Sequence, residues 1–389
     1  MRLLSMLLLA ASGFGICLYL VQLAAIAWHR RSRRSLAPSP RPPISILRPL
    51  CGHDDDLATL LDEIAALDYP EYEVLLGVRD VRDPAYLVAV AAARQHAHLR
   101  VVVQRGEPGC NPKVNQLITL ARAARHELLV VSDANVRLPE GYLDEIAELL
   151  ADPGVGLVTS PIVGDGARRL GALLDNLHMT ASIGPGMVGA QRVSGKDFVV
   201  GKSMALWRHD LMRLGGFESV RDVLAEDYVL GRRIRPTLGK RVAMATRPVV
   251  NLVRDRDLAG FLDRYGRWAV LHRQCIGVPT FFAQLLLNPS LVALAALLVA
   301  PGRLSALAFV NVLVLRALID GAAGLAQGRV FSLGELAVTP LRDACLAVAW
   351  LRGLLTDRVV WRGNTLRVGR GSRLVTTPAV AARALDQAA

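Results

Sequence analysis

The chain has 389 residues, 52% of them hydrophobic, and a mean hydropathy of +0.34, which is longer and greasier than a typical single soluble domain and places part of it in lipid. Its net charge of +12 raises nucleic acid as a partner. The basic residues are spread out and cluster beside apolar blocks, without a zinc-finger, RNA-recognition or helix-turn-helix pattern, so anionic membrane lipids are the expected partner and no nucleic acid is.

From Leu3 to Trp28 no residue is charged, enough for a helix to span a bilayer core. "HRRSRRS", with Arg30, Arg31, Arg33 and Arg34, follows at once and directs the next segment to the cytoplasm. Residues 1–29 thus read as a retained anchor rather than a cleaved signal peptide, and 30–43 as a basic, Pro-rich linker. Five scattered cysteines, Cys17, Cys51, Cys110, Cys275 and Cys345, form no CxxC pair. They indicate neither a disulfide framework nor a zinc site, as suits a reducing compartment.

Strand and helix patterns then alternate: strands at 44–48, 72–80, 100–105, 128–132 and 155–161, helices at 54–66, 84–97, 112–125 and 140–150. Such repetition predicts an α/β domain on a mainly parallel, nucleotide-binding sheet flanked by helices, over residues 44–255. No GxGxxG follows a predicted strand and no GxxxxGK[ST] is present, so a diphosphate would be held by a cation and arginines instead.

Four places carry chemistry. Asp80 closes a strand in "GVRD", where it can accept hydrogen bonds from a uracil or ribose, or simply shape a turn. Lys113 opens a helix in "NPKVNQL", a setting that favours an anion but also suits a solvated first turn. In "LLVVSDANVR" the apolar strand ends in Asp133 and Asn135. Strand alternation would point both one way, offering oxygen ligands to a divalent cation such as Mg²⁺ or Mn²⁺; a plain strand-end turn is the alternative. Glu226 and Asp227 in "VLAEDYVLGRRI" sit near a helix start, as acids do for dipole reasons alone, yet one can act as general base while the other places an acceptor.

Next, "RYGRWAVLHR" sets Arg264, Arg267 and Trp268 at i, i+3 and i+4 of an amphipathic helix over residues 256–275, able to clamp a diphosphate or to rest on lipid. Apolar blocks at 278–300 and 304–315 look like a membrane hairpin, and a third at 336–355 carries Arg342, Asp343 and Arg352, leaving a further span or an interfacial helix open. Residues 276–356 are therefore expected at the membrane, and 357–389 as a basic cytosolic tail. Of 46 basic residues only Lys113, Lys196, Lys202 and Lys240 are lysines, an arginine bias typical of a GC-rich bacterial genome that makes those lysines conspicuous.

The series Asp80, Asp133 with Asn135, Glu226–Asp227 and RxxRW resembles the D, D(x)D, (E)D, (Q/R)xxRW series of membrane-bound glycosyltransferases of the GT-A fold. Within them the chain is similar to the ceramide glucosyltransferase family. "ILRPLCG", "LDYPEYEVLLGVRD", "GKSMALWRHDL", "LGGF" and, near the end, "WRGNTLRVGRG" add to the likeness, over about 44–275 and 361–371. It implies inverting transfer of a sugar from a UDP-sugar donor to the primary hydroxyl of ceramide, with a divalent cation. By motif, Asp80 would bind the uridine, Asp133 the diphosphate and metal, and Asp227 would be the general base. Arg264, Arg267 and Trp268 would hold the diphosphate and the acceptor side. The second motif departs from DxD: it is "DAN", so Asn135 offers a neutral oxygen. A hopanoid or other lipid acceptor, a polysaccharide synthase and a non-catalytic basic membrane-anchored binding protein are the competing readings.

Overall fold

The computed structural model describes residues 1–32, 40–52, 56–195, 197–361 and 364–375. Most of the Pro-rich linker with Arg33 and Arg34, the first residues of the helix expected from 54, Lys196, two residues of "WRGNTLRVGRG" and the end of the basic tail lie outside them. Two compact units are present. One comprises Met1–Trp28, Gly166–Gly189 and Asp255–Ala389, and the other His29–Asp165 and Ala190–Arg254. The segment Gly166–Gly189, inside the stretch expected to form the soluble domain, thus groups with the terminal pieces.

In the second unit the apolar runs become strands: β1 (Ile44–Pro49), β2 (Tyr72–Val78), β3 (Leu99–Val103), β4 (Leu128–Ser132), β5 (Val136–Arg137), β6 (Val155–Thr159), β7 (Ile162–Asp165), β8 (Ser203–Trp207), β9 (Arg241–Met244) and β10 (Val249–Leu252). Seven form one sheet in the order β3-β2-β1-β4-β8-β6-β9. It is parallel except where β8 runs antiparallel between β4 and β6. β1 and β4 are buried along their whole length, which explains their unbroken apolar runs: helices cover both faces of such a sheet. A small second sheet, β5-β10-β7, begins after only three intervening residues beyond β4.

Helix starts follow local chemistry. Asp83 accepts the N–H of Ala85 ahead of Pro84–Gln95, and Asn111 accepts those of Lys113 and Val114 ahead of Pro112–Ala123. Each cap precedes a proline whose missing N–H would be unpaired anyway. Leu117, Leu129, Leu206, Phe217 and Leu230 join one core cluster, fixing the helices Pro112–Ala123 and Glu226–Leu238 relative to β4 and β8.

In the other unit, two helices, Arg2–Arg31 and Arg303–Ala326, are long and apolar enough to cross a membrane. The block expected as the first arm of a hairpin is bent by 82° between Val278–Leu287 and Pro289–Val299, because Pro289 cannot continue the preceding helix. Counting that pair as one span gives up to three, whereas Thr339–Leu355 is not among them. Small polar side chains knit these helices: Ser5, Ser12 and Tyr19 donate to the carbonyls of Ala296, Pro289 and Leu287 at 2.9, 2.9 and 2.7 Å.

Arg316, Asp320, Arg342 and Asp343 form a buried group of charges here. Arg316 meets Asp320 at 2.9 Å, and Arg342 meets Asp320 and Asp343 at 2.7 Å each. Thr339 and Ser290 donate to Asp320 and Asp343, and Arg316 lies 3.7 Å from the centre of the Tyr19 ring. Arg342 and Asp343, which made the third block ambiguous, are therefore the inner half of a closed ion-pair group.

Candidate active site

Lys113 stands at the centre of the site. It is the second residue of its helix, and its Nζ is 2.9 Å from Asp133 Oδ1 and 2.9 Å from Glu226 Oε1, with the carbonyl of Gly201 at 3.4 Å. Burial alone would depress this ammonium; Asp133, Glu226 and Asp227 outweigh it and hold the group above the ordinary lysine range. Opposing its own burial, Asp133 is held well below the usual carboxylate range by Lys113 and Lys202.

Asp133 follows β4, and Asn135 lies in a turn that leads into β5, closed by Val136 N–H donating to the Asp133 carbonyl at 3.2 Å. Strand alternation is thus not what aligns them: β4 ends at Ser132, and the turn brings both side chains round. Both meet Lys202, whose Nζ is 2.9 Å from Asp133 Oδ2 and 2.8 Å from Asn135 Oδ1. Asn135 is further fixed by donating to the carbonyl of Leu252 at 3.1 Å.

Glu226 and Asp227 open the helix Glu226–Leu238. Asp227 Oδ2 accepts the N–H of Gly201 at 2.5 Å, and Oδ1 that of Tyr228 at 2.7 Å. Burial and the adjacent Glu226 push its carboxyl up to about 6, against the pull of Lys113 and the two backbone donors. Glycine at 201 is a geometric requirement, since a Cβ there would lie 2.9 Å from Lys113 Nζ and 3.0 Å from Asp227 Oδ2.

Asp80 follows β2, while Asp133 follows β4; both strands flank β1, which sets their ends about 10 Å apart. The Asp80 carboxylate accepts the N–H of Arg82 at 2.8 Å, a local turn, and takes no part in the Lys113 network. Sequence reading missed Lys202 as a site residue. Its signal was the scarcity of lysine and its place in "GKSM".

Arg264, Arg267 and Trp268 belong to the other unit, on the helix Leu258–Ile276. Arg264 is buried, 3.7 Å from Asp175 and 5.1 Å from the centre of the Trp268 ring. Asp175 also accepts from Tyr265 at 2.6 Å and pairs with Arg256. Arg264 is therefore committed within its own unit. Arg267 differs: among the described residues it has no ion pair or hydrogen bond, and burial with Arg264 and Arg256 nearby lowers its guanidinium to about 10. It shares a groove with Asp263, Arg352 and Arg358.

Residues 7–374 match glycosyl transferase family 21. The chain belongs to that family. This family 21 enzyme is a glycosyltransferase, and the likeness to ceramide glucosyltransferases read from its motifs is borne out. It is 23% identical to ceramide glucosyltransferase 3 of Caenorhabditis elegans over 93% of its own length and 81% of the relative's. It is 28% identical to ceramide glucosyltransferase 1 of the same animal over 68% of its own length and 58% of the relative's. Among solved structures it is similar to the mannosyltransferase PcManGT of Pyrobaculum calidifontis, determined in complex with GDP-Man and Mn²⁺, at 20% identity and a TM-score of 0.51 over 90% of this chain and 99% of that one. That similarity bears out the GT-A-type sheet of the family 21 chain.

Among the described residues no group of three or more His, Cys, Asp or Glu is arranged to hold a metal ion. The donors nominated from sequence nevertheless fit a cation in one respect. Asp133 Oδ2 and Asn135 Oδ1 converge on a single positive atom, the Lys202 Nζ.

Proposed function

We propose that this enzyme transfers a sugar, glucose by analogy with its relatives, from a UDP-sugar to the primary hydroxyl of ceramide, with inversion, making a glycosphingolipid at the cytoplasmic face of a bacterial inner membrane. The observation that carries the reading is the meeting of Asp133, Glu226 and Asp227 around Lys113 at the carboxyl edge of an α/β sheet, where such folds bind nucleotides. Three carboxylates gathered beside Lys113, with Lys202 on one of them, suit a site that must handle an anionic donor and remove a proton.

In this reading Asp227 takes the proton from the lipid hydroxyl. The oxygen then bonds to the anomeric carbon, and the bond from that carbon to the UDP oxygen breaks with its electron pair leaving on UDP. Glu226 places the acceptor through its hold on Lys113, and Lys113 supplies positive charge to the departing diphosphate. Asp80 takes the uridine, and Arg264, Arg267 and Trp268 take the diphosphate and acceptor side, as the family resemblance suggests. Asp133 and Asn135 would hold a divalent cation, Mg²⁺ or Mn²⁺, which when bound supplies further charge compensation.

The domain reading stands within the same proposal: anchor 1–29, linker 30–43, cytosolic domain 44–255, interfacial helix 256–275, membrane helices 276–356 and basic tail 357–389. Support for anionic lipids as partners comes from the Arg267, Arg352 and Arg358 groove. The test is incubation of membranes carrying the protein with labelled UDP-glucose and ceramide. Label is expected in the organic extract as a glycolipid; label confined to an aqueous or insoluble polymer would overturn the lipid-acceptor reading.

A further inference from the structure

Two lysines touch Asp133, and they are held differently. Lys113 is shared between two carboxylates, Asp133 and Glu226, at 2.9 Å each, so its position is fixed by opposite charge on two sides. Lys202 is held at the site by the other oxygen of Asp133, at 2.9 Å, and by the neutral amide oxygen of Asn135, at 2.8 Å. Its side chain leaves the backbone beside Gly201, whose N–H is held by Asp227 at 2.5 Å, so its root is fixed while the four-carbon stem can swing.

Its two oxygen partners are the two proposed as ligands for a divalent cation. A small cation needs them at about 2.1 Å, and it cannot share them with an ammonium. In the nucleotide-free protein, therefore, Lys202 and a cation compete for one place. An incoming diphosphate changes the balance, because its anionic oxygens attract the ammonium more strongly than a neutral amide does.

We infer that Lys202 is a tethered counter-ion: it occupies Asp133 and Asn135 until a nucleotide diphosphate binds, then moves onto the diphosphate and releases both oxygens to a divalent cation. The inference rests on the nucleotide-sugar reading above and adds an order of events. The cation enters with or after the nucleotide, and each raises the other's affinity by the same factor.

The test uses the full-length protein in detergent micelles. Mn²⁺ binding is followed by electron paramagnetic resonance with and without UDP, and UDP binding is measured separately in EDTA. Wild type is expected to bind Mn²⁺ weakly alone and at least about tenfold more tightly with UDP. Lys202→Met is expected to bind Mn²⁺ about tenfold more tightly than wild type without UDP and, in EDTA, to bind UDP about tenfold more weakly, the loss of one charge-assisted hydrogen bond. Lys202→Arg, which keeps the charge, is expected to stay within about threefold of wild type on both measures and so reports that the fold tolerates change there.

A Met variant that gains Mn²⁺ affinity without losing UDP affinity overturns the inference, since Lys202 would then only neutralise Asp133. A Met variant matching wild type on both measures, or an Arg variant behaving like Met, overturns it too. In all three cases UDP still binds and the functional reading survives. A wild type that binds no UDP with or without Mn²⁺ sinks that reading and the inference together.

Discussion

Each unit of the molecule contains a buried group of opposed charges, and the two are built to different rules. In the helical unit Arg316 and Arg342 face Asp320 and Asp343, two against two, and each of the four is less than a tenth exposed. Thr339, Ser290 and the Tyr19 ring complete the enclosure. In the sheet unit Lys113 and Lys202 face Asp133, Glu226 and Asp227, two against three, and the Asp133 side chain stays 25% exposed. A balanced, sealed group can only hold helices together. An unbalanced, open one is left with a carboxyl whose protonation is unsettled near neutrality and with ammonium groups that can change partners.

The largest expected effect comes from the open group. Asp227→Asn removes the proposed base and should lower transfer by roughly 10²- to 10⁴-fold, with UDP binding changed little; a variant turning over like wild type would move the base elsewhere. The sealed group should respond in stability instead. Arg342→Met leaves Asp320 and Asp343 facing one arginine, and should cost about 3–5 kcal/mol, read as a lower midpoint of thermal unfolding in detergent. Adding Asp320→Asn should return part of that loss, and failure to do so would mean that Arg342 acts by packing rather than by charge.

Smaller effects sharpen the contrast. Gly201→Ala pushes a methyl group against Lys113 and Asp227, and a displacement of that kind should lower kcat by about ten- to a hundredfold while the unfolding midpoint hardly moves. The pH profile follows from the raised Asp227 carboxyl. A base must be deprotonated to accept a proton, so with its midpoint near 6 transfer should be flat above about pH 7 and fall about tenfold per unit below about pH 5.5. Ionised Asp227 is disfavoured in the folded protein. Its contribution to stability is therefore full below the unfolded carboxyl range and lost as pH rises through 6. An acid limb that persists in an Asp227→Asn variant with residual activity would assign the titration to another group.

Much of the sheet was legible because strands buried on both faces are continuous apolar runs, and the predicted ends of β1 and β4 differ from the observed ones by at most one residue. The carboxylates of the candidate site could be nominated as well, since each stands at the end of a strand or the start of a helix. What could not be read is non-local. Lys202 reaches Asn135 across 67 residues, from the turn that leads into a strand inserted antiparallel between two others. Arg342 finds Asp320 across 22 residues, and Arg264 finds Asp175 across a still longer gap. Periodicity carries no information about such partners, because they depend on the order of strands and helices in space. The convergence of Asp133 and Asn135 was reached from the right residues by the wrong geometry, a strand in place of a turn.

The interleaving of the two units also has a consequence during synthesis. Residues Gly166–Gly189, with Leu174, Leu177 and Met179 fully buried, leave the ribosome before Phe261 and Ala323, against which Leu174 and Leu177 pack. A nascent chain released at 255 would carry an apolar helix with its covering still untranslated. Trimming the gene to a water-soluble catalytic fragment should therefore yield aggregates, and a workable fragment must replace that insertion with a short polar bridge.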